Sequence, residues 1–210
     1  MSAQQGMIAY RDGRRLRLAI AETDSELQRA RDLRDGIYAN RVPELSFDPH
    51  LEAERDAIGR VFLLYEDDCL VATLRATPVA RDPAPLSGVV SLDGHSGLLR
   101  DPAACEVSRL AVPPSPRRSE QALLLLSMGA QWVLENDPTL ERFLSYCRSQ
   151  LLRLYTRVGA EPVAEPFRIA GRGEQWFYVI GGRLADAAAL APPRRAETAR
   201  QQAVGAESHA

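Results

Sequence analysis

The sequence contains no lysine, so all 26 of its basic residues are arginine. This absence excludes catalysis through a lysine Schiff base and excludes the phosphate-binding lysine of a Walker loop. Cysteine is also scarce: Cys69, Cys105 and Cys147 are odd in number and widely spaced, with no histidine-rich run beside them. Such a pattern is typical of neither a zinc site nor a disulfide framework. We therefore expect no bound metal and a reducing, cytoplasmic setting.

Long apolar runs are absent too, and none approaches the roughly 20 residues that a membrane-spanning helix needs. Residues 1–15 lack the apolar stretch and the cleavage site of a signal peptide. The net charge of −2 gives no general attraction for nucleic acid. With 210 residues, 45% of them hydrophobic, the chain suits one globular domain. We expect no membrane span and no nucleic-acid partner.

Strand-like and helix-like patterns alternate along the chain, which predicts a mixed α/β domain. In the first half we predict a strand at 14–21, a helix from a capping box of Thr23 and Glu26 to about residue 40, an irregular acidic loop at 41–59, and a hairpin of strands at 60–66 and 69–77. In the second half we predict loops at 78–104 with one short strand near 88–92, a strand at 107–112, a long helix ended by Asp137-Pro138, a strand at 141–147, a helix at 148–158 closed by Gly159, and a last strand at 174–181.

The domain boundary is predicted from composition. Residues 1–182 should form a single domain. Residues 183–210 are rich in Ala, Pro, Arg and Gln and have few large apolar side chains. We predict a disordered tail there, with a short helix at 184–190 as the alternative.

Residues 105–136 carry the strongest functional signal. A strand-like run ends at a proline-rich turn, the turn carries Arg117 and Arg118, and a long apolar-periodic helix follows. The first N–H groups of a helix have no internal partner, so phosphates bind there, and two arginines strengthen that preference. Glu106 stands at the base of the predicted strand and Arg109 lies within it. The pattern indicates either a site for the phosphate of an acyl carrier, with Glu106 handling a proton, or an ordinary strand–loop–helix with a surface salt bridge.

The motif Glu106-x-Ser108-Arg109, followed by a short apolar run, a proline and basic residues, resembles the central strand and loop of the acyl-homoserine-lactone synthases. These enzymes and the related N-acyl amino acid synthases are branches of the GNAT acyltransferase superfamily. The GNAT phosphate loop reads Gln/Arg-x-x-Gly-x-Gly/Ala. Residues 117–122 of this chain match it except that Glu120 stands in place of the first glycine.

The resemblance implies an α/β (α+β) fold, a GNAT-like αβα sandwich around a mixed, splayed central sheet, over roughly residues 24–182. In that fold two central strands separate, and the pantetheine arm of the donor pairs with the exposed strand edge. The donor would be acyl carrier protein, through its phosphopantetheine, or acyl-CoA. Either one is a co-substrate, and no cofactor is bound permanently. The residues that the resemblance places against the donor are Leu110, Ala111, Val112, Arg117, Arg118, Ser119 and Gln121.

The resemblance places the acceptor, a small amine, against charged and aromatic side chains: Arg34, Tyr38, Glu54, Asp56 and Arg75. The family carries a further acidic residue where Gly59 stands here, and a tryptophan near a loop where Phe47 is the nearest aromatic residue. These departures favour an amino acid acceptor over S-adenosylmethionine. The structural alternatives are an amphipathic helix with a snorkelling Arg34 and a lid tied to the sheet by ion pairs.

We assign catalysis to Glu106, Arg109 and Tyr155. Glu106 would remove a proton from the amine, directly or through a water, and Arg109 would tune it within a charge network. Tyr155 matches the tyrosine that protonates the leaving thiolate in many GNAT enzymes; a tyrosine packed on the core is the alternative. Backbone N–H groups near 110–112 are the expected oxyanion donors. Sequence places no base beside Ser108 or Cys105, so we expect direct attack without an acyl-enzyme.

The leading hypothesis is an N-acyltransferase that moves a fatty acyl group from acyl carrier protein or acyl-CoA to the amine of an amino acid or a homoserine-lactone precursor. A GNAT N-acetyltransferase that uses acetyl-CoA is an alternative, although the altered glycine loop argues against it. A non-catalytic GNAT-like domain that binds an acyl carrier is another, although the intact Glu106, Arg109 and Arg75 argue against it.

Overall fold

The computed structural model describes residues 6–38, 48–81, 97–169 and 172–193. Within these ranges no helix is both long and apolar enough to cross a bilayer. The helices and strands are, in chain order, β1 (Met7–Arg11), β2 (Arg14–Ile20), α1 (Asp24–Tyr38), α2 (Pro49–Ile58), β3 (Arg60–Glu66), β4 (Cys69–Pro78), β5 (Ala104–Ala111), α3 (Arg118–Asn136), β6 (Arg142–Arg148), α4 (Leu152–Thr156), β7 (Glu161–Pro162), β8 (Phe177–Arg183) and α5 (Leu184–Ala188).

The strands form one eight-stranded mixed sheet in the order β1-β2-β3-β4-β5-β6-β8-β7. Neighbouring strands run antiparallel except β5 and β6, which are parallel. A parallel pair needs a crossover connection, and the long helix α3 provides it. The predicted mixed sheet is confirmed.

Helices cover both faces of the sheet because the central strand β3 is apolar on both faces. Phe62 and Leu64 of β3 pack into the main core with α3, whereas Val61, Leu63 and Tyr65 pack with the buried side of α1. Successive side chains of a strand point to opposite faces, so α1 and α3 lie on opposite sides of the sheet. This is the αβα sandwich that the family resemblance implies.

The sheet splits between β5 and β6. The two strands are paired only where residues 104–106 of β5 lie opposite residues 142–144 of β6. Beyond this point β5 stays paired with β4 up to Ala111, and β6 stays paired with β8 up to Arg148. The two strands therefore part toward their carboxyl ends, which confirms the predicted splay and opens a cleft between them.

Turn and cap chemistry accounts for several element ends. In the predicted capping box, the Glu26 carboxylate accepts a hydrogen bond from the Thr23 backbone N–H at 3.0 Å, and the Thr23 hydroxyl accepts one from the Glu26 N–H at 3.3 Å. The β3–β4 hairpin turns at Asp67 and Asp68, both with positive φ. A tight two-residue hairpin loop requires that conformation.

One strand was not predicted, and other elements need correction near their ends. Strand β1 is an addition to the predicted elements, although the Asp12-Gly13 turn that joins it to β2 is a hairpin signal. The predicted helix at 148–158 is shorter, because a 3-10 turn at Ser149–Leu151 precedes α4. The last strand begins at Phe177 rather than at residue 174. The predicted short strand near 88–92 lies outside the described residues.

Residues 49–58 form helix α2 and not the predicted irregular acidic loop. Asp48 caps the helix: its side chain accepts hydrogen bonds from the backbone N–H groups of His50 at 2.9 Å and Leu51 at 3.4 Å. Pro49 occupies the first turn, where its missing N–H is no loss. The Asp-Pro pair is thus the start signal that the loop prediction overlooks. The remainder of the predicted loop, 41–47, lies outside the described residues.

The ordered core continues past the predicted boundary at residue 182. Helix α5 packs against α3, and Leu184 and Ala187 are buried in the main core. A short helix therefore forms within the alternative range 184–190, at Leu184–Ala188, and the predicted disordered tail cannot begin at 183. The rest of that predicted tail, from 194 onward, lies outside the described residues.

Gly129 offers a test of the packing around α3. A glycine inside a helix weakens it by about 1 kcal/mol relative to alanine. A β-carbon at Gly129 would meet only the Leu74 side chain, at an ordinary 3.9 Å. We expect Gly129→Ala to raise the free energy of unfolding by about 0.5–1 kcal/mol, measured by urea denaturation. Gly182→Ala in β8 is the contrast and should destabilise, because its β-carbon would lie 2.8 Å from the Phe143 ring. A destabilised Gly129→Ala would show that the space above Leu74 is filled.

Candidate active site

The cleft between β5 and β6, here called the strand cleft, has a volume of about 420 Å³. Both strands, the end of α1 and helix α4 form its walls, and an arginine of α3 lines it as well. It brings together five of the predicted site residues: Tyr38, Arg109, Leu110, Arg118 and Tyr155. Ala111 and Val112, at the end of β5, are buried. The strand cleft thus lies beside the strand edge that was predicted to face the donor.

A second cavity, here called the arginine cavity, has a volume of about 180 Å³. Tyr38 and Arg109 line both spaces, so the two are neighbours. The arginine cavity is also lined by Arg31, Arg34, Asp35 and Glu52. With Arg109, its three guanidinium groups outnumber its two carboxylates, so the cavity favours an anionic occupant.

A buried ion-pair network supports both spaces, and its centre is a pair of carboxylates on α2. Asp56 accepts hydrogen bonds from Arg34 at 2.8 and 3.0 Å and from Arg75 at 3.1 Å. Glu52 accepts from Arg75 at 3.3 Å. Arg75 is only 1% exposed, so leaving its charge unpaired there would be costly. The network ties α1, α2 and β4 together.

Arg109 joins this network from a distorted point of β5. Ser108 pairs with Arg75 across the sheet and Ala111 pairs with Thr73, so β5 holds one extra residue and bulges. Arg109 lies in the bulge with φ of 57°, a left-handed conformation that is uncommon for a residue with a side chain. Glu52 binds its guanidinium through two hydrogen bonds, 2.8 Å to Nε and 2.5 Å to Nη2. A bidentate, charge-assisted contact of this kind offsets the strain of the bulge.

The pKa directions follow from this geometry. Burial alone would raise the pKa of Glu52, but the hydrogen bonds and charge of Arg109 hold that pKa below its ordinary value. Burial likewise opposes the charged form of Arg109, yet the Glu52 carboxylate raises the pKa of that guanidinium. Arg75 differs, because burial dominates and lowers its pKa. The Glu52–Arg109 pair is therefore ionised on both sides at neutral pH.

Glu52 replaces Glu54 in the predicted set of acceptor-side residues. Glu54 is exposed, and among the described residues it makes no ion pair with Arg75 or Arg109. Glu52 and Asp56 are four residues apart on α2 and share one helical face. The prediction of a loop at 41–59 overlooks this spacing. The signal for Glu52 is nevertheless present in the sequence, because a four-residue separation from Asp56 places both carboxylates on one face of a helix at 49–58. Of the other residues predicted for the acceptor, Asp56, Arg34 and Arg75 lie together in one buried cluster.

Glu106 lies at the point where β5 and β6 part. It is 2% exposed and is the last β5 residue paired with both neighbouring strands, to Thr77 on β4 and to Leu144 on β6. The next residue along β5, Val107, already lines the strand cleft. Glu106 is thus a buried residue of β5 that directly precedes the part of the strand lining the cleft.

Two tyrosines and a cysteine complete the strand cleft. The Tyr38 hydroxyl donates a hydrogen bond to the Leu110 carbonyl at 3.1 Å, and burial raises the pKa of that hydroxyl. Burial also raises the pKa of Tyr155, so the phenol is protonated at neutral pH. Burial raises the pKa of Cys147 to about 12, so its thiol is neutral and a poor nucleophile. The cleft therefore offers neutral O–H and S–H groups.

The predicted phosphate residues at the start of α3 divide into two groups. Arg118 lines the strand cleft. Arg117 and Gln121 instead donate hydrogen bonds to Glu66, a carboxylate at the end of β3 that the sequence patterns do not single out. Ser119 is exposed. Within the described part of the chain, no three histidine, cysteine or acidic side chains converge as metal ligands would.

Comparison with known proteins gives a match in fold. No protein-family model matches the sequence, and no curated protein matches it. The N-acyl amino acid synthase FeeM, from uncultured soil microbes, superimposes with a TM-score of 0.65 at 14% identity, over 85% of this chain and 96% of its own. BjaI, a CoA-dependent acyl-homoserine lactone synthase, gives 0.61 at 16% identity, over 88% of this chain and 86% of its own. The acyl-homoserine lactone synthase LasI gives 0.57 at 17% identity, over 80% and 90%.

The chain has a GNAT-like fold. The resemblance that the Glu106 motif indicates is thereby confirmed at the level of the fold. Within the GNAT-like fold, the strand cleft is the place where the resemblance puts the pantetheine arm of an acyl donor.

The role of Glu52 is testable by removing its charge. We expect Glu52→Gln to lower the free energy of unfolding at pH 7 by about 3 kcal/mol, because the buried Arg109 guanidinium loses its counter-ion. Chemical denaturation measures the change. Glu54→Gln on the same helix is the matched control and should stay within about 0.5 kcal/mol of wild type. Equal effects of the two substitutions would contradict the assignment of Glu52 to the network.

The comparison of wild type with Glu52→Gln also predicts a pH dependence of stability. Folding lowers the pKa of Glu52 from its ordinary value of 4.5, so its stabilising contribution is fully present above that pH. The contribution is lost as the pH falls through the folded-state pKa. The stability difference between wild type and Glu52→Gln should therefore shrink as the pH is lowered from about 5 toward about 3. A difference that stays constant over this range would show that charge is not the cause.

Proposed function

We propose that this protein is an N-acyltransferase that moves an acyl group from the thioester of acyl carrier protein or CoA to the amine of a small molecule that bears a carboxylate, such as an amino acid. The observation that carries the proposal is the meeting of two spaces at Tyr38 and Arg109. The strand cleft suits an extended thioester arm, and the arginine cavity suits an anionic acceptor. The fold shared with FeeM and BjaI supports the same reaction class.

The acceptor is assigned from the arginine cavity. Among the described residues, Arg34 uses only Nη1 in hydrogen bonds, while its buried Nε and Nη2 atoms have no partner. Unsatisfied buried donors are costly, and a carboxylate is the group that satisfies a guanidinium best. Arg31, which also binds Asp56 at 3.2 Å, adds a second cation to the same wall. An amino acid held there by its carboxylate would turn its amine toward the junction with the strand cleft.

The donor is assigned from the strand cleft. Its walls carry two strand edges that are no longer paired with each other, and an extended amide-bearing arm can form hydrogen bonds with such an edge. Arg118 supplies a positive charge in the same cleft for a phosphate. Both acyl carrier protein and CoA present such an arm with a phosphate at its end.

The reaction follows from these positions. The free amine attacks the thioester carbonyl, a C–N bond forms and the C–S bond breaks, and the donor leaves as a thiolate. Glu106 accepts the proton that the amine loses, directly or through a water. Tyr155, protonated because burial raises its pKa, supplies a proton to the thiolate. Backbone N–H groups near 110–112 stabilise the oxyanion, and Arg109 holds the bulge that presents them. The neutral Cys147 thiol supports direct attack rather than an acyl-enzyme.

A product screen tests the reaction class. The purified protein would be incubated with acyl carrier protein and CoA, each loaded with acyl chains from two to sixteen carbons, together with pooled amino acids or S-adenosylmethionine. We expect mass spectrometry to detect an N-acyl amino acid. A lactone product would move the acceptor to S-adenosylmethionine, and acetylation alone would indicate an acetyltransferase. The absence of any product from every pair would overturn the proposal.

The role of Glu106 is testable in the same assay. With the donor and acceptor that the screen identifies, we expect Glu106→Gln to lower kcat by about 100-fold or more, because the base that accepts the amine proton is gone. Donor binding, measured by calorimetry, should be unchanged, since the substitution keeps the size of the side chain.

Tyr155→Phe separates the second proton transfer from the first. It should lower kcat by about tenfold while leaving KM for both substrates unchanged. An unchanged kcat in Glu106→Gln would remove Glu106 as the base, and an unchanged kcat in Tyr155→Phe would leave Tyr155 as a packing residue.

A further inference from the structure

A buried carboxylate, that of Glu66 at the end of β3, lies against the start of α3 and is here called the internal anion. Glu66 is only 5% exposed, and its carboxylate accepts hydrogen bonds from Arg14 Nη1 at 2.6 Å, from Gln121 Nε2 at 3.0 Å and from Arg117 Nη1. The Ser115 hydroxyl donates to Gln121 Oε1 at 3.0 Å, which fixes the direction of that amide. Glu66 therefore binds side chains from the turn and the first turn of α3, as a bound anion would.

A second carboxylate reinforces this arrangement. Glu120, in the first turn of α3, pairs with Arg11 at 3.3 Å and with Arg14 at 3.1 Å. Three arginines at this end of the helix are thus engaged by the protein's own carboxylates: Arg11, Arg14 and Arg117. Arg118 differs, because it makes no ion pair with the described residues and lines the strand cleft.

We infer that Glu66 is a specificity-determining residue whose carboxylate takes the place of a donor phosphate at the start of α3. The inference rests on the proposed function and deepens it. With Glu66 and Glu120 in place, a pyrophosphate would meet two like charges and would find Arg117 and Gln121 already bound. Among the described arginines at the start of α3, Arg118 is the one left to bind a phosphate there. The additional phosphates of CoA should therefore add little binding free energy beyond that of the single phosphate of phosphopantetheine.

Wild-type binding tests this inference without any variant. Isothermal titration calorimetry would measure Kd for CoA and for 4′-phosphopantetheine under the same salt conditions. We expect the two values to agree within about threefold, since Glu66 already engages Arg117 and Gln121, the side chains that would bind a second phosphate at the start of α3. CoA that binds tenfold or more tightly would overturn the inference and leave the proposed function standing. No binding of either ligand would overturn the proposed function, and the inference with it.

Removing the internal anion gives the converse test. Glu66→Gln keeps the size of the side chain and should release Arg117, so we expect Kd for CoA to fall about tenfold while Kd for 4′-phosphopantetheine changes less than twofold. Adding Arg117→Ala to Glu66→Gln should abolish the gain.

A purely structural role for Glu66 predicts a different result. In that case Glu66→Gln lowers the melting temperature but leaves the CoA Kd at the wild-type value, and the inference is wrong. Circular dichroism would establish that the variant is folded before binding is measured. If it does not fold, the wild-type comparison of the two ligands decides the question.

Discussion

The ion pair between Glu52 and Arg109 determines the geometry on which the rest of the site depends. Arg109 adopts a left-handed backbone conformation inside a strand, and such a conformation persists only where the surroundings impose it. Glu52 does so from a different element, α2, with two short hydrogen bonds. Because Arg109 lines both the strand cleft and the arginine cavity, one contact determines the shape of both spaces. The strain of the bulge and the position of the proposed oxyanion donors therefore have a common origin.

Arginine side chains are balanced by carboxylates to different degrees at the two ends of the site. Around α2, guanidinium groups outnumber carboxylates, and Arg34 keeps buried donor atoms without a partner among the described residues. At the start of α3, Glu66 and Glu120 already engage Arg11, Arg14 and Arg117. A ligand anion gains most where the protein has left positive charge unbalanced, because there it relieves a desolvated charge instead of competing with a carboxylate. The balance of charge thus distinguishes the proposed place for a carboxylate acceptor from the proposed place for a phosphate.

Local chemistry made much of the fold predictable. The capping box at Thr23 and Glu26, the Asp67-Asp68 turn and the apolar periodicity of α3 act between residues a few positions apart, so the sequence displays them directly. Glu66 is different, because its partners Arg117 and Gln121 lie 51 and 55 residues away and meet it only in the folded sheet. Glu52 falls between these cases. Its four-residue spacing from Asp56 is visible in the sequence. That spacing indicates a shared helical face only when Asp48 and Pro49 are recognised as the start of a helix.

The splay of the sheet gives it two further edges, in its interior. An ordinary edge strand invites pairing with another protein chain, and the outer strands β1 and β7 of this sheet are of that kind. The edge that β5 presents beyond Glu106 is flanked by β4 on one side and faced by β6 across the cleft. The gap closes at Glu106, where the two strands are still paired, so another protein strand could not pair along the whole of this edge. The interior position therefore shields an exposed hydrogen-bonding edge from aggregation, and the proposed pantetheine arm, which has no amino-acid side chains, would suit a gap of this kind.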